Sequence, residues 1–100
     1  MENLRNNVLI VDDNRGLREV IRIFLTDEGY NVLEAGNGQE ALDLLSTLPA
    51  NDYPSCMVVD LRMPVMDGNE FLESIEKGIS EDLRNIPVII YSAEGKLRPS

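Results

Sequence analysis

The chain contains no histidine. That removes the commonest general base at neutral pH and the commonest metal-ligating side chain. It also means that the chain cannot itself be a phosphohistidine donor. Cysteine is nearly absent too. The one thiol, Cys56, has no internal disulfide partner, and it opens the apolar run Cys56-Met57-Val58-Val59. That setting predicts a small buried hydrophobe rather than a reactive group, and it suits a reducing cytoplasm. No apolar run approaches the roughly 20 residues that span a membrane. The amino terminus, MENLRNN, has no signal-peptide core. Basic residues are few: 9 against 18 acids give a net charge of −9. Such a segment is not expected to bind nucleic acid or an anionic membrane. A cation or a basic partner surface fits it better, although acidity also serves plain solubility. No GxxxxGK[ST] loop is present, which argues against nucleotide hydrolysis.

What is there reads as one domain over residues 1–100, with enough apolar residues (43%) for a single core. Val8-Leu9-Ile10-Val11 is a continuous apolar run ending in Asp12-Asp13, the pattern of a strand buried on both faces of a parallel sheet. Asn14 is placed to cap a helix whose apolar stripe is Leu17, Val20, Ile21, Phe24 and Leu25, with Gly29 as its terminator. Val32-Leu33-Glu34-Ala35 is a more mixed strand, as an edge would be. Asn37 and Glu40 form a capping-box pattern before the stripe Ala41, Leu44, Leu45 and Leu48. Pro49 to Pro54 is a turn-rich connection. Met57-Val58-Val59 is a third strand ending at Asp60. Asp67 and Glu70 repeat the capping box before Phe71, Leu72, Ile75 and Ile79, with Gly78 near the end. Val88-Ile89-Ile90-Tyr91 is a fourth strand ending at Ser92.

Strand and helix alternate three times before the last strand. This predicts an α/β fold, a doubly wound parallel sheet with right-handed crossovers and helices on both faces. Ligands of open sheets bind beyond the carboxyl ends of the strands. The residues at those ends are Asp12, Asp13, Asp60 and Ser92. Two ionised carboxylates about 4 Å apart repel by on the order of 4 kcal/mol at an effective dielectric near 20. A fold that gathers three must protonate one or hold a cation among them. An oxygen-only donor set without imidazole or a thiolate cluster suits Mg2+. A carboxylate beside Mg2+ can also act as a nucleophile towards phosphorus. Taken singly, each residue has a simpler role. Asp12 and Asp13 could cap the first helix, Asp60 could be a turn residue, Ser92 alone says little, and Asp67 is a helix cap whatever else it does. The specific signal is their joint placement.

The segments Val8-Leu9-Ile10-Val11-Asp12-Asp13-Asn14, Val58-Val59-Asp60-Leu61-Arg62-Met63-Pro64-Val65-Met66-Asp67-Gly68 and Ile89-Ile90-Tyr91-Ser92-Ala93 resemble the receiver domain of two-component response regulators, over about Val8 to Ala93. The resemblance implies a flavodoxin-like sheet of order 2-1-3-4-5. It implies Asp60 as the phosphorylated aspartate. It further implies Mg2+ bound by the carboxylates of Asp13 and Asp60, by the backbone carbonyl of Arg62 and, through a water, by Asp12. Ser92 matches the hydroxyl residue that moves to the phosphoryl group. The implied donor is a sensor histidine kinase or a phosphotransfer protein.

The family pattern continues with a fifth strand bearing a lysine and an aromatic switch residue, then a fifth helix. This chain reaches Ser100 first, so the sheet is expected to be C-terminally incomplete, of order 2-1-3-4. Lys96 lies four residues past Ser92, in the loop after the fourth strand, rather than at the lysine position. Two readings compete. One is a phosphorelay receiver that switches its partner-binding surface. The other is a phosphorylation-deficient receiver fragment acting only as an interaction or dimerisation module, pairing as a homodimer through its fourth-strand edge. An aspartyl-phosphate hydrolase ranks below both, because its paired acids are spaced by one residue and Asp12 and Asp13 are adjacent. An EF-hand fails at Gly16 and Leu17, which stand where an acid and a glycine are needed.

Overall fold

The computed structural model describes residues 6–78 and 80–91. The chain runs through β1 (Asn7–Val11), α1 (Arg15–Asp27), β2 (Asn31–Ala35), α2 (Gly38–Thr47), a 3-10 turn (Ala50–Asp52), β3 (Cys56–Asp60), α3 (Gly68–Lys77), a one-turn helix α4 (Glu81–Arg84) and β4 (Val88–Tyr91). The strands form one parallel sheet in the order β2-β1-β3-β4. This is the flavodoxin-like arrangement that the alternation and the resemblance implied.

Register explains the layering. Leu9 pairs with Leu33 and Met57, and Met57 with Val88; Ile10 pairs with Glu34 and Val58, and Val58 with Ile89. Side chains alternate along a strand, so these two rows point to opposite faces. Leu9, Val11, Ala35, Met57 and Val59 pack with Ala41 and Leu45 of α2 and with Phe71 and Ile75 of α3. The other face belongs to α1, whose Arg18 and Arg22 are ion-paired with Glu34 of β2.

The helix ends follow local chemistry. The Asn14 side chain accepts a hydrogen bond from the Leu17 amide at 3.0 Å. At the far end Gly29 has φ +96°, and the amides of Gly29 and Tyr30 donate to the carbonyls of Thr26 and Leu25. That paired closure needs a left-handed residue, which glycine supplies without a steric penalty. The Asp67–Glu70 capping box is complete in both directions.

Several expectations change. Val20 and Phe24, read as part of the first core stripe, are 63% and 66% exposed, while Leu17, Ile21 and Leu25 are half-buried. Among the described residues nothing seals that part of the α1 stripe. Asn37 caps α2 through the Glu40 amide, but the Glu40 carboxylate reaches one residue further back, to the Gly36 amide at 2.7 Å. Cys56 is half-buried, and burial raises its thiol pKa, which keeps it in the unreactive form. The helix α4, capped by Ser80, was not anticipated. Ile79, Ser92 and Lys96 lie outside the described residues. Among the described residues no helix is long and apolar enough to cross a membrane.

Candidate functional site

The strand ends gather the acids. Asp12 follows Val11 at the end of β1, Asp13 is next, and Asp60 closes β3. One carboxylate oxygen from each lies within 4.8 Å of the others. Asp12 and Asp60 are buried, at 0% and 1% exposure, and Asp13 is exposed. The first helix is capped by Asn14, so Asp12 and Asp13 are not needed as its caps. Asp67 is a cap, as anticipated, and Asp60 does accept a turn contact, from the Arg62 amide to its Oδ1 at 3.2 Å.

Parallel pairing sets this geometry. Asp12, Asp60 and Tyr91 continue the rows of Ile10, Val58 and Ile89, on the α1 face. Asp12 Oδ1 accepts from the Asn14 amide at 2.8 Å, and Asp12 Oδ2 accepts from the Tyr91 hydroxyl. The Asp12 carbonyl takes a 2.6 Å hydrogen bond from Arg18 Nη1. The loop after Asp60 is held close to its strand. The Gly68 amide donates to the Leu61 carbonyl, and a Cβ at Gly68 would lie 2.6 Å from the Asp60 carbonyl oxygen. Only glycine permits that approach, which starts α3 directly beside the acid. An open cleft of about 470 Å3 lined by Leu61, Arg62, Met63, Asp67 and Asn69 lies alongside.

Charge crowding has the expected consequence for the phenol. Burial, then the hydrogen bond and charge of Asp12, then the charges of Asp60 and Asp13, push the Tyr91 pKa far above its ordinary value, so the hydroxyl stays protonated and remains a donor. Tyr91 and Arg18 are the site residues that sequence reasoning missed. Tyr91 was legible only as the end of an apolar strand, and Arg18 only as a polar helix position.

The donor set fits a hard divalent cation: carboxylate oxygens, no imidazole in the chain, and the one thiol at the opposite end of β3. Residues 8–98 match the response regulator receiver domain. The chain belongs to that family. It is 43% identical over 89 residues to response regulator RR06 of Streptococcus pneumoniae, covering 89% of this chain and 37% of that protein. It is 36% identical over 94 residues to sporulation initiation phosphotransferase F of Bacillus subtilis, covering 94% and 69%. The chain spans 36% and 37% of the length of the first two curated relatives. Among solved structures, the N-terminal domain of a response regulator receiver protein from Methanoculleus marisnigri superposes with a TM-score of 0.76 at 33% identity, covering 93% of this chain and 70% of that one. The response regulator TrrA of Thermotoga maritima, crystallised in complex with Mg2+ and BeF, has a TM-score of 0.63 at 32% identity, covering 71% and 58%.

Proposed function

We propose that this receiver is a phospho-acceptor switch in which Asp60 takes a phosphoryl group from the phosphohistidine of a sensor kinase or phosphotransfer protein. The observation that carries this reading is the convergence of the Asp12, Asp13 and Asp60 oxygens within 4.8 Å at the strand ends of a receiver fold. An Asp60 carboxylate oxygen bonds to phosphorus as the phosphorus–nitrogen bond to the donor histidine breaks. The histidine leaves with the bonding pair and takes up a proton from solvent. Burial of Asp60 and the hydrogen bond that its Oδ1 accepts from the Arg62 amide hold the carboxylate in place for attack. Asp13 and Asp60 would hold Mg2+ by carboxylate, Arg62 by its backbone carbonyl and Asp12 through a water. The cation supplies neutralisation of charge on the group in flight. The Mg2+ and BeF complex of the similar TrrA structure supports this assignment. Ser92, next after Tyr91, is the hydroxyl we assign to a phosphate oxygen. Transfer and later hydrolysis are self-catalysed in this reading, which makes the chain a switch rather than an enzyme acting on a separate substrate, and it works in the cytoplasm.

A second reading starts from β4, the outer strand of the described sheet, whose Ile89 and Ile90, on opposite faces, are 57% and 48% exposed. There the chain pairs with a second copy, whether or not it is phosphorylated.

Intact-mass measurement after incubation with acetyl phosphate and Mg2+ tests the first reading. The wild type is expected to gain one phosphate and Asp60→Asn none. An equal phosphate yield in the variant would remove Asp60 from its assigned role.

A further inference from the structure

Tyr91 reaches further than its position suggests. It stands beside Asp60 in the strand register, and β3 lies between β4 and β1. Adjacent strands are about 4.8 Å apart, so its backbone is roughly 10 Å from that of β1. A side chain with a rigid ring and a polar tip can cross that gap, and the phenol hydroxyl donates to Asp12 Oδ2. The Asn14 amide already occupies Asp12 Oδ1. Both oxygens of a carboxylate with 0% exposure are therefore engaged by the protein.

This allots different tasks to the three acids. Each carboxylate oxygen carries two lone pairs, so Asp12 can still accept from a water. It is nevertheless less free than Asp13, which is exposed, to enter a cation's inner shell. Mg2+ tolerates that arrangement, because it dehydrates reluctantly and keeps several waters. Ca2+ takes 6–8 oxygens and gains from each added carboxylate.

Resting on the metal-site reading above, we propose that Tyr91 is a specificity-determining residue of the acid site. By donating its hydroxyl to Asp12 Oδ2, it withholds that oxygen from the inner shell and favours Mg2+ over Ca2+. The residue acts through Asp12 and is a positioning residue, not a ligand.

Calorimetric titration of the full chain with MgCl2 and with CaCl2 tests this, on wild type, Tyr91→Phe, Asp12→Asn and the double variant. Tyr91→Phe keeps the ring and removes only the donor. It is expected to raise Ca2+ affinity relative to Mg2+ by about tenfold, since Asp12 Oδ2 is released to the larger ion. With Asp12→Asn in place, removing the hydroxyl is expected to leave the ratio unchanged, because the oxygen it controls no longer belongs to a carboxylate. A ratio in Tyr91→Phe within about twofold of wild type, with Mg2+ still binding, would overturn the assignment alone and leave the hydroxyl a structural donor. The same ratio shift in the Asp12→Asn background would also overturn it. If wild type binds neither ion, this inference and the acid-site reading fall together.

Discussion

On one face of the sheet Leu9, Val11, Met57 and Val59 lie under α2 and α3, and with Leu45 and Phe71 they are at most 1% exposed. On the other face Val8 and Ile10 are sealed, but Ile89 of the sheet and Val20, Ile23 and Phe24 of the covering helix are between 56% and 66% exposed. The same strands supply both faces, and their residues are equally apolar. Among the described residues the difference is in the cover: α2 and α3 together on one side, α1 on the other. The continuous buried cluster of the described residues lies on the closed side. The open side's rows run out at the strand ends into Asp12, Asp60 and Tyr91, so the chemistry grows from the less tightly packed half.

The largest effect expected from this contrast comes from the closed side. Phe71 is fully buried among residues of the sheet, α2 and α3. Phe71→Ala should destabilise the fold by about 3–5 kcal/mol, the combined loss of transfer energy and the cavity left behind. Urea unfolding measures this. A loss below about 1 kcal/mol would mean that the core collapses around the gap, and the contrast between the faces would lose its energetic basis.

At the strand ends a charge should be removable without any loss of packing. Asp13 is exposed, and one of its carboxylate oxygens lies within 4.8 Å of oxygens of Asp12 and Asp60. Asp13→Asn should stabilise the metal-free chain by about 1 kcal/mol by relieving repulsion across about 5 Å that solvent partly screens. It should also shrink the rise in Tm that Mg2+ gives the wild type, since a ligand of the folded state stabilises in proportion to its affinity. Thermal melts with and without MgCl2 check both. An identical magnesium response in the two proteins would count against the site.

The closed side carries strain of its own. Met63 and Met66 pack against its core, and between them Val65 is turned outwards, 79% exposed, at φ +69°. The Met66 amide donates to the Pro64 carbonyl at 2.7 Å, a three-residue turn around Val65. A β-branched residue is poorly suited to left-handed backbone, whereas asparagine tolerates it. Val65→Asn should therefore stabilise by about 1 kcal/mol. A destabilised variant in the same urea assay would place a value on the valine side chain that its exposure does not suggest.

Much of this was readable beforehand, for reasons that can be named. The strands are short apolar runs, and Asn14, Asn37 and Asp67 mark the helix starts with side chains that do cap them. The acids were legible because two separate apolar runs end in them, Val8-Leu9-Ile10-Val11 in Asp12-Asp13 and Met57-Val58-Val59 in Asp60. Tyr91 was not, because its reach to Asp12 depends on register across three strands and no local pattern encodes that. The exposure of Val20 and Phe24 escaped for a related reason. Periodicity gives the direction of an apolar stripe, while the extent of its cover is a tertiary property. The strain at Val65 is a backbone angle, invisible in a residue name. Glu40 shows how fine the limit is: its spacing from Asn37 predicted the right helix end, yet its carboxylate chose Gly36 instead.

The smallest stability effect should come from the open face, and there the readout that matters is association. Phe24 is 66% exposed and Ile89 57% exposed, so replacing either removes little buried area. Phe24→Ser and Ile89→Lys should each stay within about 0.5 kcal/mol of wild type, as surface substitutions do. Their effect on self-association should differ. Val88-Ile89-Ile90-Tyr91 forms the outer edge of the described sheet and carries no charge and no proline, the devices that usually blunt an edge. Edge β2 carries Glu34 under Arg18 and Arg22. If copies pair through β4, a lysine on that strand costs the pair both packing and desolvation, and Ile89→Lys should shift a concentration series in sedimentation velocity towards monomer. Phe24→Ser, away from the strand edge, should leave the series nearly as it was. A wild type that sediments as a well-folded monomer at every concentration would remove β4 pairing altogether. Dissociation by Phe24→Ser alone would move the contact from the strand edge onto the face of α1.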